Sequence, residues 1–323
     1  GSVVNFDDLG MQGRRFVSGG LKQPRLSELL GSPAQQPIRL YAGLESAETD
    51  DARSALVVEE LNRTHAWERE SVVIIPTTGT GWINPHAAQA IELLSGGDVA
   101  TVGTQYSYLP SWISFLADRK EAEDAGRALI EAVVNWRASL PEGTHRPNLY
   151  VYGESLGTQA GEAAFSGIRD IRATVDGVLW MGPPSSNRIW RSLVERRDPG
   201  TTATEPVYAD GLLVRFSEDP AELRHDDTPW IPPHVLYVQH ATDPVVWWTP
   251  DLLFDRPAWL AEPPGKGRHP GMFYMPVLTF FQVTADLGNA IGGSQGYGHL
   301  YDHQILDGWA TVTEREGWDD DDH

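Results

Sequence analysis

The sequence has no cysteine among its 323 residues. That excludes disulfides, thiolate metal sites, iron–sulfur clusters and a cysteine nucleophile, and it leaves the redox compartment open. It has no apolar run near the roughly 18 to 20 residues that span a bilayer. Its longest greasy stretches, residues 72–75 and 277–281, are strand- or core-sized. Basic residues are scarce. Lys and Arg number 25 against 45 Asp and Glu, for a formal net charge of −20. Such a surface repels phosphate backbones and anionic head groups, so nucleic acid is not an expected partner. Four of the acids, residues 319–322, form a terminal run expected to be a solvated tail. The Gly1-Ser2 start reads as a cloning scar and is expected to mark the removal of an upstream segment.

What is present is ordinary globular composition, 41% hydrophobic and 22% charged, in a chain long enough to bury a sizeable core. Residues 1–37, rich in Gly, Pro, Gln and Ser, read as an arm or linker packed on the domain. Residues 38–318 read as one catalytic domain and 319–323 as an acidic tail. From Ile38 onward short apolar runs alternate with amphipathic stretches. The pattern predicts strands over 38–41, 71–75, 99–105, 149–152, 174–180 and 235–239. It predicts helices over 50–65, 85–94, 119–140, 156–165, 276–287 and 302–313. Strands alternating with helices of ten residues or more imply an α/β fold, a mostly parallel central sheet with helices on both faces. Two long segments interrupt the alternation, at about 182–233 and 244–298. Both are rich in Pro and Trp and are expected to act as aromatic lid insertions.

Gly-x-Ser-x-Gly, the nucleophile-elbow pattern, occurs twice, at Gly153-Glu154-Ser155-Leu156-Gly157 and at Gly292-Gly293-Ser294-Gln295-Gly296. Only the first follows a predicted strand and opens a predicted helix, so Ser155 is the candidate nucleophile and Ser294 a loop residue. A serine hydroxyl needs a general base, and the base needs an orienting acid. In this fold class the chain order is Ser, acid, His. Asp243 ends the loop after the strand at 235–239 and ranks ahead of the later Asp251 and Asp255. Four histidines follow it: His269, His299, His303 and His323. His299, in a loop just before the last helix, is the leading base, with His303 the alternative. Residues 299 and 303 are four apart, but the Glu of His-Glu-x-x-His and a third ligand are missing, so neither a metal nor another cofactor is expected. The oxyanion hole calls for two backbone N–H groups. Leu156, after the nucleophile, is one. Thr78, in the loop Pro76-Thr77-Thr78-Gly79-Thr80-Gly81, is the other, with Thr80 as fallback. Tyr106, Tyr108, Trp112 and Trp247 are candidates for lining an acyl pocket, against a core-packing reading of equal weight for the first three.

Six blocks resemble one actinobacterial family of α/β-hydrolases: the 76–81 loop with Trp82; Gln105-Tyr106-Ser107-Tyr108-Leu109-Pro110-Ser111-Trp112; the Ser155 elbow; Gly182-Pro183-Pro184; Asp243-Pro244-Val245-Val246-Trp247-Trp248; and Gly298-His299-x-Tyr301. Members of that family carry such a catalytic domain behind an N-terminal membrane-spanning region. The resemblance implies an α/β-hydrolase fold and a Ser–His–Asp site at Ser155, His299 and Asp243. It also implies a native protein anchored in the cell-envelope membrane, of which this chain is a soluble catalytic domain. The 76–81 loop separately resembles the oxyanion loop of some fungal-type lipases. The expected function is a serine esterase acting on lipid-like or hydrophobic acyl esters through an acyl-enzyme. The alternative is an acyltransferase that passes the acyl group to an envelope lipid or glycan. A binding protein with a vestigial site is the least favoured.

Overall fold

A computed structural model describes residues 1–108, 119–224, 226–292 and 296–315. Trp112, Ser294 and the acidic run at 319–322 lie outside these. Seven strands form one sheet: β1 (Ile38–Ala42), β2 (Ser71–Ile74), β3 (Val99–Thr104), β4 (Asn148–Glu154), β5 (Gly177–Met181), β6 (Arg215–Ser217) and β7 (His234–Val238). Their order is β1-β3-β2-β4-β5-β7-β6 and every pairing is parallel. A parallel sheet must be covered on both faces, which explains the unbroken apolar runs of its central strands. Alternation along each strand divides the core. Val72, Ile74, Val151 and Val178 face Val57 and Leu61 of the helix Asp50–Arg63, and Leu129 and Val133 of the helix Arg119–Ser139. Val73, Ile75, Tyr152 and Leu179 face the other way, onto Ile91 of the helix Pro85–Leu94 and Ile305 and Trp309 of the helix Asp302–Val312.

Local signals place these helices. Thr49 caps Asp50–Arg63 by accepting from the Ala52 N–H, with two acids in the first turn. Asn84 caps Pro85–Leu94, with proline at the first helical position, where its missing N–H costs nothing.

The structure departs from the sequence expectations at several points. Residues 1–37 contain two helices, Gly10–Ser18 and Gln23–Leu30, which bury Phe16 and Leu26. Arg39 of β1 donates to the Phe16 carbonyl at 2.8 Å, so the segment is tied to the sheet edge. The strand anticipated from residue 174 begins at Gly177, because Ile168–Thr174 coils and buries Ile168 and Ile171. The insertion at 182–233 supplies a helix, Arg188–Glu195, and the edge strand β6. The helix anticipated from 276 starts at Leu278, after a left-handed Val277. Among the described residues no helix is long and apolar enough to cross a membrane.

Candidate active site

In a parallel sheet, the loops leaving the carboxyl ends of the strands converge on one edge, where such folds bind ligands. Ser155 sits between β4 and the helix Leu156–Glu162 with φ 54° and ψ −124°. A non-glycine residue there is strained, and here the surroundings enforce it. The Ser155 N–H donates to the Met181 carbonyl on β5 at 2.9 Å. A Cβ on Gly157 would stand 2.6 Å from the Pro76 carbonyl oxygen, and one on Gly153 2.7 Å from the Gly157 carbonyl. Gly157 is therefore set by the close approach of the elbow to the loop after β2, and Gly153 by the turn of the elbow onto its own helix.

Asp243 ends the loop after β7 and caps the short helix Pro244–Trp247. Its Oδ1 accepts from the Val245 N–H at 2.8 Å. Its Oδ2 lies 2.6 Å from His299 Nδ1 and accepts from the Tyr301 hydroxyl at 2.7 Å. The carboxylate is wholly buried. His299 packs on Gly182, where a Cβ would fall 2.6 Å from its Cε1. Gly182 directly follows Met181, the residue that receives the Ser155 N–H, so the imidazole and the elbow meet at the end of β5. Burial opposes a charge on His299, but the Asp243 carboxylate beside it and Glu154 outweigh that, and its pKa is raised.

Two residues missed by the sequence reading complete the site. His240, at the mouth of the acid loop, stacks on Tyr301 with ring centroids 4.2 Å apart. Its Nδ1 lies 2.8 Å from the Gly298 carbonyl and its Nε2 3.2 Å from Gln304 Nε2. Burial lowers its pKa, and because a carbonyl only accepts, Nδ1 is the donor to Gly298. Thr242 Oγ1 receives the Gly298 N–H at 2.9 Å. The loop carrying His299 is thus pinned on both sides to the loop carrying Asp243. A histidine preceding the acid falls outside the expected Ser–acid–His order, so chain order alone passes it over. Glu154, the variable residue before Ser155, accepts from Asn84 at 2.9 Å and from Tyr152 at 2.8 Å. Burial raises its pKa, against the pull of those bonds and of nearby His299. The sequence signal was a carboxylate at the end of an otherwise apolar strand.

Leu156 is the first residue of its helix, so its N–H has no intrahelical partner. Thr78 is buried in the loop that touches Gly157, and its hydroxyl has no hydrogen bond among the described residues. The neighbouring Thr77 hydroxyl is used structurally, donating to the Thr104 carbonyl at 2.7 Å.

The other candidates lie further out. Tyr106 is buried against Leu156, Ala122 and Ala125. Tyr108 is exposed and donates to Glu45 at 3.0 Å. Trp247 is buried among Trp190 and Trp259 and donates to the His240 carbonyl at 3.1 Å, bracing the acid loop from behind. His303 and His269 are exposed, as is Asp251. Among the described residues no group of three or more His, Cys, Asp or Glu is placed to hold a metal ion.

Residues 38–323 match the family described as the alpha/beta-hydrolase family. No curated protein and no solved structure matches the chain.

Proposed function

The chain belongs to the alpha/beta-hydrolase family, and from that premise we propose that it cleaves carboxylic esters of hydrophobic acyl groups through an acyl-enzyme on Ser155. The observation that carries this reading is the 2.6 Å pairing of His299 Nδ1 with buried Asp243, held against the end of β5 where the strained Ser155 elbow is bonded. An imidazole with Nδ1 engaged presents Nε2 as the base.

Ser155 Oγ attacks the ester carbonyl while His299 Nε2 takes its proton. The Leu156 and Thr78 N–H groups receive the developing oxyanion. The proton then passes from His299 to the departing alkoxide, which leaves as the alcohol. In the second half His299 takes a proton from water, hydroxide equivalent adds to the acyl carbonyl, and Ser155 leaves reprotonated. Asp243 holds the imidazole in the productive tautomer throughout. The apolar insertion at 244–298 supports a hydrophobic acyl substrate. The resemblance of the motif blocks to a membrane-anchored family supports a place at the cell envelope.

The test is fluorophosphonate labelling read by intact mass, beside Ser155→Ala and a p-nitrophenyl ester chain-length panel. The expected result is one adduct that vanishes in the variant, with ester turnover reduced on the order of 10⁴-fold or more. Undiminished turnover by Ser155→Ala would overturn the proposal.

A further inference from the structure

Among the described residues fifteen large apolar side chains stand exposed, and eight of them lie between 254 and 297. Six of these, Phe254, Phe273, Met275, Val277, Leu278 and Phe281, belong to one local structure. The Val277 N–H donates to the Leu253 carbonyl at 3.0 Å, which sets Val277 beside Phe254. The Phe281 N–H donates to the Val277 carbonyl and the Thr279 N–H to that of Met275, so the start of the helix Leu278–Leu287 gathers Met275, Val277, Leu278 and Phe281, with Phe273 two residues before Met275 in the chain. The inner face of that helix is already satisfied. Thr279 and Val283 are buried, and Phe280 packs on Trp248 at 5.8 Å. The outward side chains are therefore surplus to the core.

The backbone there is also strained outward. Val277 has φ 66° and ψ −52°, and the Leu278 N–H donates to the Pro276 carbonyl at 2.7 Å. This is the rare left-handed γ-turn, unfavourable for a β-branched residue. It leaves 44% of Val277 and 43% of Leu278 open to solvent, apolar surface that the core does not cover. A strained, water-exposed apolar turn points to something outside the chain that covers it.

Charge decides what that is. Residues 270–285 contain no Asp, Glu, Lys, Arg or His, while the chain as a whole carries −20. A second copy would bring two strongly anionic bodies face to face. An anionic bilayer would repel the chain as a whole, and residues 270–285 have no basic residue to anchor there; of the basic side chains that flank the tip in sequence, Arg256 and Arg268 donate to the Leu260 and Glu262 carbonyls, which leaves Lys266 and His269. A neutral lipid surface meets neither obstacle and accepts aromatic and aliphatic side chains. We propose that the turn and the N-terminal end of the helix Leu278–Leu287 form a docking tip that inserts into an electrically neutral lipid surface. The tip works independently of Ser155 chemistry.

The test is co-sedimentation of the chain with phosphatidylcholine vesicles, using wild type, Ser155→Ala and Leu278→Glu/Phe281→Glu. Wild type and Ser155→Ala should bind alike, whatever the catalytic outcome. The double variant should bind at least roughly tenfold more weakly, from the loss of two buried apolar side chains, with unchanged circular dichroism. Adding phosphatidylglycerol should weaken wild-type binding. The proposal is overturned by absence of wild-type binding, by equal binding of the double variant, or by binding that requires the anionic lipid. It is equally overturned if light scattering shows a wild-type dimer that the double variant abolishes. Should the double variant lose its fold, Val277→Ser with Phe281→Ser provides the same comparison without added charge.

Discussion

The Tyr301 hydroxyl donates to Asp243 Oδ2 at 2.7 Å, the same oxygen that lies 2.6 Å from His299 Nδ1. One buried carboxylate oxygen thus serves two residues of a single loop. A hydrogen bond to a charged group contributes about 1.5–3 kcal/mol. Tyr301→Phe should lower unfolding free energy by about that amount in urea titration. It should also concentrate the Asp243 charge on His299 and move the acidic limb of the kcat/KM profile to higher pH. A limb that stays in place would reduce Tyr301 to packing.

The acidic limb itself follows from His299. Burial disfavours its charge, but Asp243, followed by Glu154, prevails and raises its pKa. A general base must be neutral, so activity should fall on acidification at a pH above the ordinary imidazole value of about 6.5. Glu154→Gln removes the more distant carboxylate and should bring the limb down, with Asp243 still in place. Asp243→Asn should remove the limb's elevation and cost on the order of 10⁴-fold in kcat. In stability the sign is that of a raised histidine. The His299–Asp243 contribution is full below the unfolded value of about 6.5 and is lost as pH rises through the folded one. Profiles of wild type and Glu154→Gln that coincide would remove Glu154 from the site.

Gly157 tests the oxyanion geometry without touching a titrating group. A Cβ there meets the Pro76 carbonyl at 2.6 Å, and both partners are backbone. Gly157→Ala should push the elbow off the 76–78 loop and spread the two N–H donors. The expected loss is about 10²-fold in kcat, the magnitude of one oxyanion donor, with KM changed less. A variant with normal kcat would show that the loop is not part of the reaction.

Glu162 makes a prediction about stability away from the reacting groups. It is buried, accepts from the Ile189 and Trp190 N–H groups at 2.8 and 3.2 Å, and accepts from the Tyr237 hydroxyl at 2.7 Å. Burial pushes its pKa up to about 7, against those bonds. The folded state therefore holds a proton, between about pH 4.5 and 7, that the unfolded state has released. That stabilisation is full below the unfolded value and fades as pH rises through about 7. Urea midpoints of wild type should fall between pH 5 and 7.5, by the equivalent of about a kcal/mol or more. Glu162→Gln should flatten that fall. Equal slopes would show that the carboxyl does not titrate in this range.

The local signals were legible where one residue type has few uses. Proline after Asn84 and acids after Thr49 placed helix starts at the observed positions. The run Val72-Val73-Ile74 could only be a doubly covered strand. The pair of glycines around Ser155 marked close approaches, which proved to be of Gly157 to Pro76 and of Gly153 to the backbone of Gly157. Detail that the local pattern left open was set by distant neighbours. Residues 10–30 carry few apolar side chains per turn, yet they coil because Phe16 and Leu26 find a surface to cover. The three-residue strand β6 exists because β7 offers it an edge, with Arg215 opposite Leu236.

The sequence by itself determined the parallel α/β architecture, the position of the elbow and the chemical types available on either side of it, because backbone period and glycine sterics act over a few residues. Only the tertiary structure decided which acid and which histidine meet, since residues 243 and 299 are brought together by β7 and by the pinning of Gly298 to Thr242 and His240. It also decided that the charge of Glu154, an apparently free position of the motif, acts on His299, and that Phe254, Phe273, Met275, Val277, Leu278 and Phe281 remain exposed. Those outcomes depend on three-dimensional neighbours far apart in the chain, and electrostatic and burial energies are functions of that distance, not of spacing along the chain.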